Sequence, residues 1–332
     1  MASGSMLQPA IRLRAFAGPL VLNVRAQNEA MARVARGVLR QFDVRWSGGL
    51  IESHVSIRVA QPSRVAVRGD YLRTYRTTAG PSRKGLWAVT PGGGACRIED
   101  VRRVCCIRSP SQAPEIALVE DLEQLLMLFI VRSWRLAGWT PLHAASAVRG
   151  AVGLAVCAPG STGKTTLIAA LMRRGWCTIG DDKLLVRVAE GGVIEVRAVS
   201  HQFHLDPRTT RFFPEISGIE EHPTYSRWTP KRQVPANRFW PGRLLERGTI
   251  NRVVRLAREP AISGIRLAPM SAQETLGTLL SQVVIPNETR EARMIIATMG
   301  RLASNSRGLS CSVGEDAFAD ERNVSALEEA LA

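Results

Sequence analysis

The feature that most constrains this chain is a glycine-rich segment, residues 158–166, which stands between an apolar run and a helical pattern. The preceding residues 151–157 (AVGLAVC) are uncharged, which is typical of a short buried parallel strand. In residues 165–174 apolar side chains recur at helical spacing, namely Leu167, Ile168 and Leu171. A loop that joins a strand to a helix presents backbone N–H groups and the positive end of the helix dipole to an anion. The sequence therefore predicts a phosphate-binding loop within an α/β fold.

The loop follows the G-x-x-x-x-G-K-[ST] pattern of nucleotide-binding proteins (the P-loop), except that its first position is Ala158. Alanine is small enough to keep the turn if its φ is negative. In this pattern Lys164 reaches the β- and γ-phosphates, and the Thr165 hydroxyl takes a Mg²⁺ ligand position. The alternative is a glycine-rich turn with an incidental lysine. The predicted nucleotide-binding residues are Pro159, Gly160, Ser161, Thr162, Gly163, Lys164, Thr165 and Thr166.

Two adjacent carboxylates, Asp181 and Asp182, follow the predicted helix. Gly175 reads as the helix stop, and residues 176–182 read as a second strand that ends in the carboxylate pair. One such carboxylate can bind Mg²⁺ while the other accepts a proton from an attacking hydroxyl. The alternative is an Asp-Asp turn that only solvates a loop. The position just past a P-loop helix favours a role in phosphoryl transfer.

A histidine precedes the loop in a spacing that resembles a known family. His143 begins a segment whose two short strands join at Arg149-Gly150, and the loop starts at 158, 15 positions after His143. The order of histidine, turn, strand, loop, helix and Asp-Asp pair resembles that of bacterial HPr kinase/phosphorylases. The resemblance covers residues 141–186, with a looser pattern beyond, and this region is also similar to the nucleotide core of phosphoenolpyruvate carboxykinase.

The resemblance implies a function for the motif residues. It implies that Asp181 is the general base, that Asp182 and Thr165 hold Mg²⁺, and that His143 lies near the phosphoryl group transferred from ATP. It also implies an α/β P-loop kinase core similar to the HPr kinase C-terminal domain. The nucleotide is held by the loop and Lys164, which would also act in catalysis.

The sequence departs from the family after the carboxylate pair. HPr kinases carry a later signature of the Glu-Ile-Arg-Gly type, whereas residues 193–207 offer only Glu195 and Asp206. The chain therefore resembles HPr-kinase-related proteins, a group that includes kinases of peptide-tailoring clusters such as those for lasso peptides. Reverse phosphorolysis is correspondingly not predicted.

Length and composition predict two domains. A chain of 332 residues usually divides into about two units, and the Pro- and Ser-containing stretch 109–114 reads as the boundary. We therefore expect an N-terminal α+β accessory domain over residues 6–115 and the kinase domain over 116–332. No uncharged run approaches the roughly 18 residues that span a bilayer, so no membrane segment is predicted. Six cysteines without a C-x-x-C pair or a signal peptide predict a reduced, cytoplasmic protein.

The strong positive charge predicts an anionic partner. Lys and Arg outnumber Asp and Glu by 44 to 29, which gives a net charge of +15. Arginines are dispersed and there are only three Tyr, so nucleic-acid binding is not indicated. An acidic peptide or small protein fits this charge, and the oligomeric state, homo-oligomer included, is left open. An arginine-rich proteome would explain the charge equally well.

Periodicity predicts the approximate positions of further strands and helices. The predicted strands lie within residues 11–25, 44–59, 64–67, 87–89, 184–188, 193–199 and 250–257, and the predicted helices within 28–42, 117–136 and near the C-terminus at 327–331. Ser271-Ala-Gln-Glu274 is a capping-box pattern that opens another helix, and Gly191-Gly192 reads as a hairpin turn. Residues 77–84 and 90–94 read as loops.

The stretch 214–243 has neither helical nor strand periodicity and reads as a long loop. Lys231 and Arg232 within it could reach over a bound nucleotide and neutralise phosphoryl charge. An exposed basic loop without function is the equal alternative.

Three functions agree with these patterns. The first is an ATP-dependent kinase that phosphorylates a hydroxyl, with serine on a peptide or small protein as the expected acceptor. The second is a kinase of a small-molecule hydroxyl, and the third a nucleotide-binding regulator or scaffold with little turnover. A motor ATPase is disfavoured because the chain lacks an LSGGQ signature.

Overall fold

The structure is a computed structural model that describes residues 10–60, 72–74, 77–110, 115–226 and 229–331. It has a mixed α/β fold that divides into two compact units, Met1–Gly138 with Pro286–Ala292, and Trp139–Ile285 with Arg293–Ala332. The strand predicted at 64–67 lies outside the described residues. None of the helices in the described ranges is both long and apolar enough to cross a lipid bilayer.

The first unit is built on one large sheet. Its described elements are β1 (Ile11–Ala17), β2 (Leu20–Ala26), α1 (Glu29–Leu39), β3 (Ile51–Ala60), β4 (Leu72–Thr74), β5 (Thr77–Ser82), β6 (Gly85–Val89), β7 (Ala95–Glu99), β8 (Val104–Pro110) and α2 (Glu115–Leu136). The strand order is β1-β2-β3-β8-β7-β6-β5-β4. Helix α1 starts where predicted, with Asn28 Oδ1 accepting a hydrogen bond from Met31 N (3.0 Å). Residues 77–82, predicted as a loop, instead form β5, because they pair in a hairpin with β6 that outweighs their Gly and Pro content.

The domain boundary predicted between residues 115 and 116 falls instead after Gly138. Helix α2 packs against α1, β7 and β8, so it belongs to the first unit. A buried ion-pair cluster explains why Pro286–Ala292 belongs there too: the Arg132 guanidinium donates to Asp100 (2.6 and 2.8 Å) and to Glu291 (2.9 Å). Buried charges are tolerated only when paired in this way.

The second unit contains three sheets. Its elements are β9 (Thr140–Leu142), β10 (Ala145–Arg149), β11 (Val152–Cys157), α3 (Lys164–Arg173), β12 (Leu184–Val188), β13 (Ile194–Ala198), β14 (Gln202–Leu205), β15 (Thr224–Ser226), β16 (Thr229–Pro235), β17 (Arg247–Gly248), β18 (Arg252–Arg258), β19 (Ile265–Met270), α4 (Ala272–Leu280), α5 (Thr289–Ser304, which starts in the first unit's segment), β20 (Arg307–Val313) and α6 (Glu321–Leu331). The sheet orders are β10-β11-β18-β20-β19, β17-β13-β12-β9 and β14-β16-β15.

The five-stranded sheet positions the loop. Strands β11, β18 and β20 run parallel, whereas β10 and β19 pair antiparallel at the edges. The carboxyl ends of the three parallel strands therefore share one edge of the sheet. Ligands of open α/β sheets bind at that edge.

Several predicted elements of this unit are confirmed. Strands β10 and β11 form a hairpin around Arg149-Gly150, and β12 and β13 form one around Gly191-Gly192, where all three glycines have positive φ. The capping box is present: Ser271 Oγ accepts from Glu274 N (3.2 Å), and Glu274 Oε2 accepts from Ser271 N (2.8 Å).

Two predictions for this unit are wrong. Residues 176–182 do not form a strand, because only Cys177 and Thr178 make isolated bridges, to Val148 and Leu244. The stretch 214–243 is not a continuous loop, since it contains β15 and β16. Strand β16 is stabilised by long-range pairing with β14, a tertiary contact that sequence periodicity does not reveal.

Candidate functional site

The loop between β11 and α3 has the backbone geometry of an anion cradle. Gly163 precedes the helix with φ of 111°, and Ser161 has φ of 64°, a left-handed conformation uncommon for a non-glycine residue. Among the described residues, none of the backbone N–H groups of 160–166 has an intramolecular acceptor, and the first paired amide is that of Leu167, which donates to Gly163 O (2.9 Å). Successive unpaired amides at a helix N-terminus are suited to binding an anion.

Lys164 is held inside the loop. Its side chain is buried, and Nζ donates to Ala158 O (2.7 Å) and Pro159 O (3.3 Å). Nζ also lies 3.3 Å from His143 Nε2. Burial lowers the pKa of the Lys164 ammonium, and nearby Lys231 adds to this effect, whereas the two aspartates oppose it. The loop therefore carries a desolvated cation at its centre.

Asp181 lies beside the first turn of α3. Thr165 Oγ1 donates to both of its carboxylate oxygens (2.9 and 3.1 Å), and His204 N donates to Oδ2 (3.3 Å). The residue is 2% exposed. Burial, with the neighbouring charge of Asp182, raises the pKa of Asp181 to about 6, although the hydrogen bonds from Thr165 and His204 lower it. A carboxylate with this pKa can exchange a proton near neutral pH.

Asp182 has the opposite electrostatic environment. Its Oδ1 lies 2.9 Å from His143 Nε2 and its Oδ2 accepts from Lys183 Nζ (3.1 Å). Burial alone would raise the pKa of Asp182, but Lys183 and His143 hold it well below its usual range. Its φ of 71° is again left-handed. The carboxylate pair thus combines one raised and one lowered pKa, an arrangement that separates acid–base roles.

A buried serine holds the segment that carries the carboxylates. Ser146 Oγ, on β10, accepts from the backbone amides of Ile179 (3.0 Å) and Gly180 (3.1 Å). Ser146 N also donates to Gly180 O (3.0 Å). The β10 strand therefore sets the position of Asp181 and Asp182 even though residues 176–182 form no strand themselves.

Residues 160–166 of the loop, with Asp181 and Asp182, line a cleft of about 310 Å³, whereas Pro159, His143 and Ser146 do not line it. The sequence predicted the loop, the carboxylates and Lys231 there, but not most of the other lining residues, which include His204, Asp206, Arg208, Arg211, Phe212, Tyr225, Arg258, Glu315 and Phe318. Arg258 and Val313 end β18 and β20, so the carboxyl-edge rule for parallel strands could have located them had both strands been recognised. The residues around β14 come together only through tertiary pairing.

His204 and Tyr225 form a stacked pair in the cleft, with ring centroids 3.6 Å apart. Burial lowers the pKa of His204 to about 4, so the ring is neutral near pH 7. Its Nε2 is buried and finds no hydrogen-bond partner among the residues that the structure describes.

The two predicted basic residues of the 214–243 stretch separate. Lys231 lines the cleft, whereas Arg232 does not and donates to His222 O (3.3 Å) and Thr224 Oγ1 (2.9 Å). Adjacent residues of a strand point to opposite faces, so β16 can deliver only one of them to the cleft. Arg232 therefore does not lie where the sequence analysis had placed it, next to the glycine-rich loop. Glu195 also lies outside the cleft, paired with Arg187 and Arg197.

The oxygen donors at the loop fit a nucleotide-associated Mg²⁺. Asp181, Asp182 and Thr165 all line the cleft and are the hard ligands that Mg²⁺ prefers. In the described part of the chain no cluster of three or more His, Cys, Asp or Glu side chains is placed to hold a metal by itself. Mg²⁺ bound with phosphates needs only one or two carboxylates. In the structure Thr165 donates a hydrogen bond to Asp181, whereas the family resemblance had implied that Thr165 and Asp182 hold Mg²⁺ together.

Comparisons with known proteins add little to this geometry. No protein-family model matches the chain. No curated protein matches its sequence. Among solved structures, the chain is similar to the Hpr(Ser) kinase/phosphatase from Coxiella burnetii, at 11% identity over 57% of this chain and 97% of that chain, with a TM-score of 0.30. A likeness at this level assigns no activity, so the functional argument depends on the site itself.

Proposed function

We propose that the second unit is a P-loop kinase that transfers the γ-phosphoryl group of ATP to a hydroxyl, with serine on a peptide or small protein as the acceptor. One observation carries the proposal. A helix-capping loop of unpaired amides, a desolvated Lys164, and the pair Asp181 and Asp182 meet in a single cleft. A protein that only bound nucleotide would need the loop but not a carboxylate of raised pKa beside it.

Each residue has a role in the proposed transfer. The acceptor oxygen forms a bond to the γ-phosphorus, the bond to the bridging oxygen breaks, and its electron pair leaves with ADP. The acceptor proton passes to Asp181, whose pKa of about 6 suits a base near neutral pH. Lys164 and the loop amides stabilise charge on the phosphoryl oxygens, and His143 Nε2 lies within hydrogen-bond distance of both Lys164 and Asp182, so it can pair with one of them at a time. Mg²⁺ bound with ATP would neutralise further phosphoryl charge.

The roles of the two carboxylates can be separated experimentally. We propose Asp181 as the base and Asp182 as the metal ligand. The hydrogen bond between Thr165 and Asp181 favours the exchanged roles, in which Asp181 holds the metal together with Thr165 and Asp182 is the base. Asp181→Asn should lower kcat by roughly 10²- to 10⁴-fold with nearly unchanged affinity for Mg-ATP. Asp182→Asn should instead raise the Mg²⁺ concentration required for half-maximal rate. If Asp181→Asn raises the Mg²⁺ requirement and Asp182→Asn does not, the two roles are exchanged.

Phosphate transfer from γ-labelled ATP tests the function itself. The probes are a serine peptide with acidic flanks, the same peptide with neutral flanks, and free serine. We expect transfer to the acidic peptide, and its loss in Lys164→Ala, because the buried cation faces phosphate in both ground and transition states. Lys84→Ala, at an exposed site in the first unit, is the matched control and should retain wild-type transfer. Equal turnover in Lys164→Ala would contradict the proposal, and transfer to free serine alone would identify a small-molecule kinase.

A further inference from the structure

The cleft contains an apolar region that phosphate chemistry does not explain. Phe212 and Phe318 both line it, and their ring centroids lie 6.1 Å apart in an edge-to-face arrangement. Both rings are only partly buried, unlike the adjacent Phe213, which is 2% exposed and belongs to the core. Leaving two phenyl rings partly exposed in a charged cleft forfeits the free energy that their burial would provide. A flat apolar ligand group would recover it.

The topology places the strand that leads to Phe318 near the glycine-rich loop. Phe318 follows β20, which lies two strands away from β11 in the parallel part of the sheet. With strands about 4.8 Å apart, the end of β20 is roughly 10 Å from the end of β11 along the sheet edge. Arg258 ends the intervening strand and also lines the cleft. The chain therefore leaves β20 toward Phe318 at a point across the sheet edge from the loop, and a sugar and phosphates can bridge about 10 Å.

The carboxylates of the cleft have different neighbours from the rings. Asp181 accepts hydrogen bonds from Thr165, in the first turn of α3, and from the backbone amide of His204. The His204 ring in turn stacks on Tyr225. Next to the phenyl rings, Arg211 Cζ lies 4.5 Å from the centroid of the Phe212 ring, so the guanidinium covers one face of that ring. The cleft thus combines two carboxylates, the glycine-rich loop and two partly exposed phenyl rings. The carboxylates suit the acceptor hydroxyl, which leaves the rings for the remainder of the nucleotide.

We propose that Phe212 and Phe318 form the nucleobase subsite, and that the base of the bound purine nucleotide packs against these rings at the carboxyl ends of β18 and β20. This proposal rests on the proposed nucleotide-dependent function. Base–aromatic contacts depend on the π-face that every base carries, so the subsite binds the base without itself selecting among the bases.

Comparing ATP with a phosphate-only ligand tests the subsite. Binding of Mg-ATP and Mg-tripolyphosphate is measured by calorimetry for the wild type, Phe212→Leu and Phe318→Leu, since leucine keeps apolar packing and removes the ring. We expect the ratio of ATP affinity to tripolyphosphate affinity to fall by roughly 5- to 100-fold in each variant, with tripolyphosphate affinity unchanged. Phe239→Leu is the matched control, because Phe239 packs on the same core but does not line the cleft, and its ratio should equal that of the wild type.

The outcomes separate this proposal from the function on which it rests. If tripolyphosphate does not bind, or binds equally to Lys164→Ala, the phosphate site itself is wrong. If tripolyphosphate binds through Lys164 but the affinity ratio is unchanged in both phenylalanine variants, the nucleobase subsite is wrong. A rise in the KM for the acceptor peptide with an unchanged ratio would also overturn it, since the rings would then bind the acceptor.

Discussion

Replacing Asp181 with asparagine should stabilise the unliganded fold near neutral pH, although it removes a proposed catalytic group. The carboxylate is buried and its pKa is raised from 3.8 to about 6. The folded state therefore binds more protons than the unfolded state between these two values, so wild-type stability falls as pH rises through this window. A shift of about two pKa units corresponds to about 3 kcal/mol of destabilisation above pH 6.

Asparagine avoids this penalty and keeps the shape of the site. Its amide oxygen can accept from Thr165 Oγ1 and His204 N, the two donors that the carboxylate has now. We expect Asp181→Asn to match the wild type at about pH 3 and to exceed it by about 3 kcal/mol at pH 7.5, with most of the difference arising between pH 4 and 6. Urea unfolding at a series of pH values, without nucleotide or divalent cations, measures this difference.

Asp182→Asn is the matched control, and its effect should have the opposite sign. The pKa of Asp182 is held well below its usual range by Lys183 and His143 against the effect of burial, so the charged form stabilises the folded state at neutral pH and this contribution is lost only in acid. Removing the charge should therefore destabilise the fold at pH 7.5. A pH-independent difference for Asp181→Asn, or destabilisation at pH 7.5, would refute the reasoning that burial dominates the environment of Asp181.

Three further substitutions test the framework of the site. Ser146→Ala should lower the free energy of unfolding by about 2 to 4 kcal/mol, because it leaves the buried amides of 179–180 without an acceptor; an unchanged urea midpoint would contradict this. Gly153→Ala should cost about 3 kcal/mol, since a Cβ would lie 1.8 Å from the backbone oxygen of Thr249, and wild-type stability would show that this contact is absent. On acidification from pH 7 to 5 the wild type should lose about 2 kcal/mol of its free energy of unfolding at His204, because this histidine takes up a proton below pH 6.5 in the unfolded state and only near pH 4 when buried. His204→Gln should abolish this loss. A pH profile parallel to that of the wild type would argue against a neutral His204.

Local patterns in the sequence predicted the centre of the site and many of the elements around it. The strand, loop and helix around Lys164 were predictable because apolar periodicity, glycine and a cap act within a few residues. The hairpins and the capping box were predictable for the same reason. The strand at β5 was missed because Gly80 and Pro81 disfavour a strand locally, and only pairing with β6 overrides them.

Contacts between distant residues could not be read from local patterns. The sequence did not distinguish Lys231 from Arg232, since that choice depends on which face of β16 meets the cleft. It also misplaced the domain boundary, because the packing of α2 on β7 and β8 decides to which unit that helix belongs.

By itself the sequence determined that a glycine-rich loop precedes a helix and that two carboxylates follow it. Only the tertiary structure decided that Asp181 contacts Thr165, that Asp182 contacts His143 and Lys183, and that the pKa values of the two carboxylates shift in opposite directions. The physical reason is that loop and cap preferences are properties of neighbouring residues, whereas burial and charge pairing depend on residues that folding brings together.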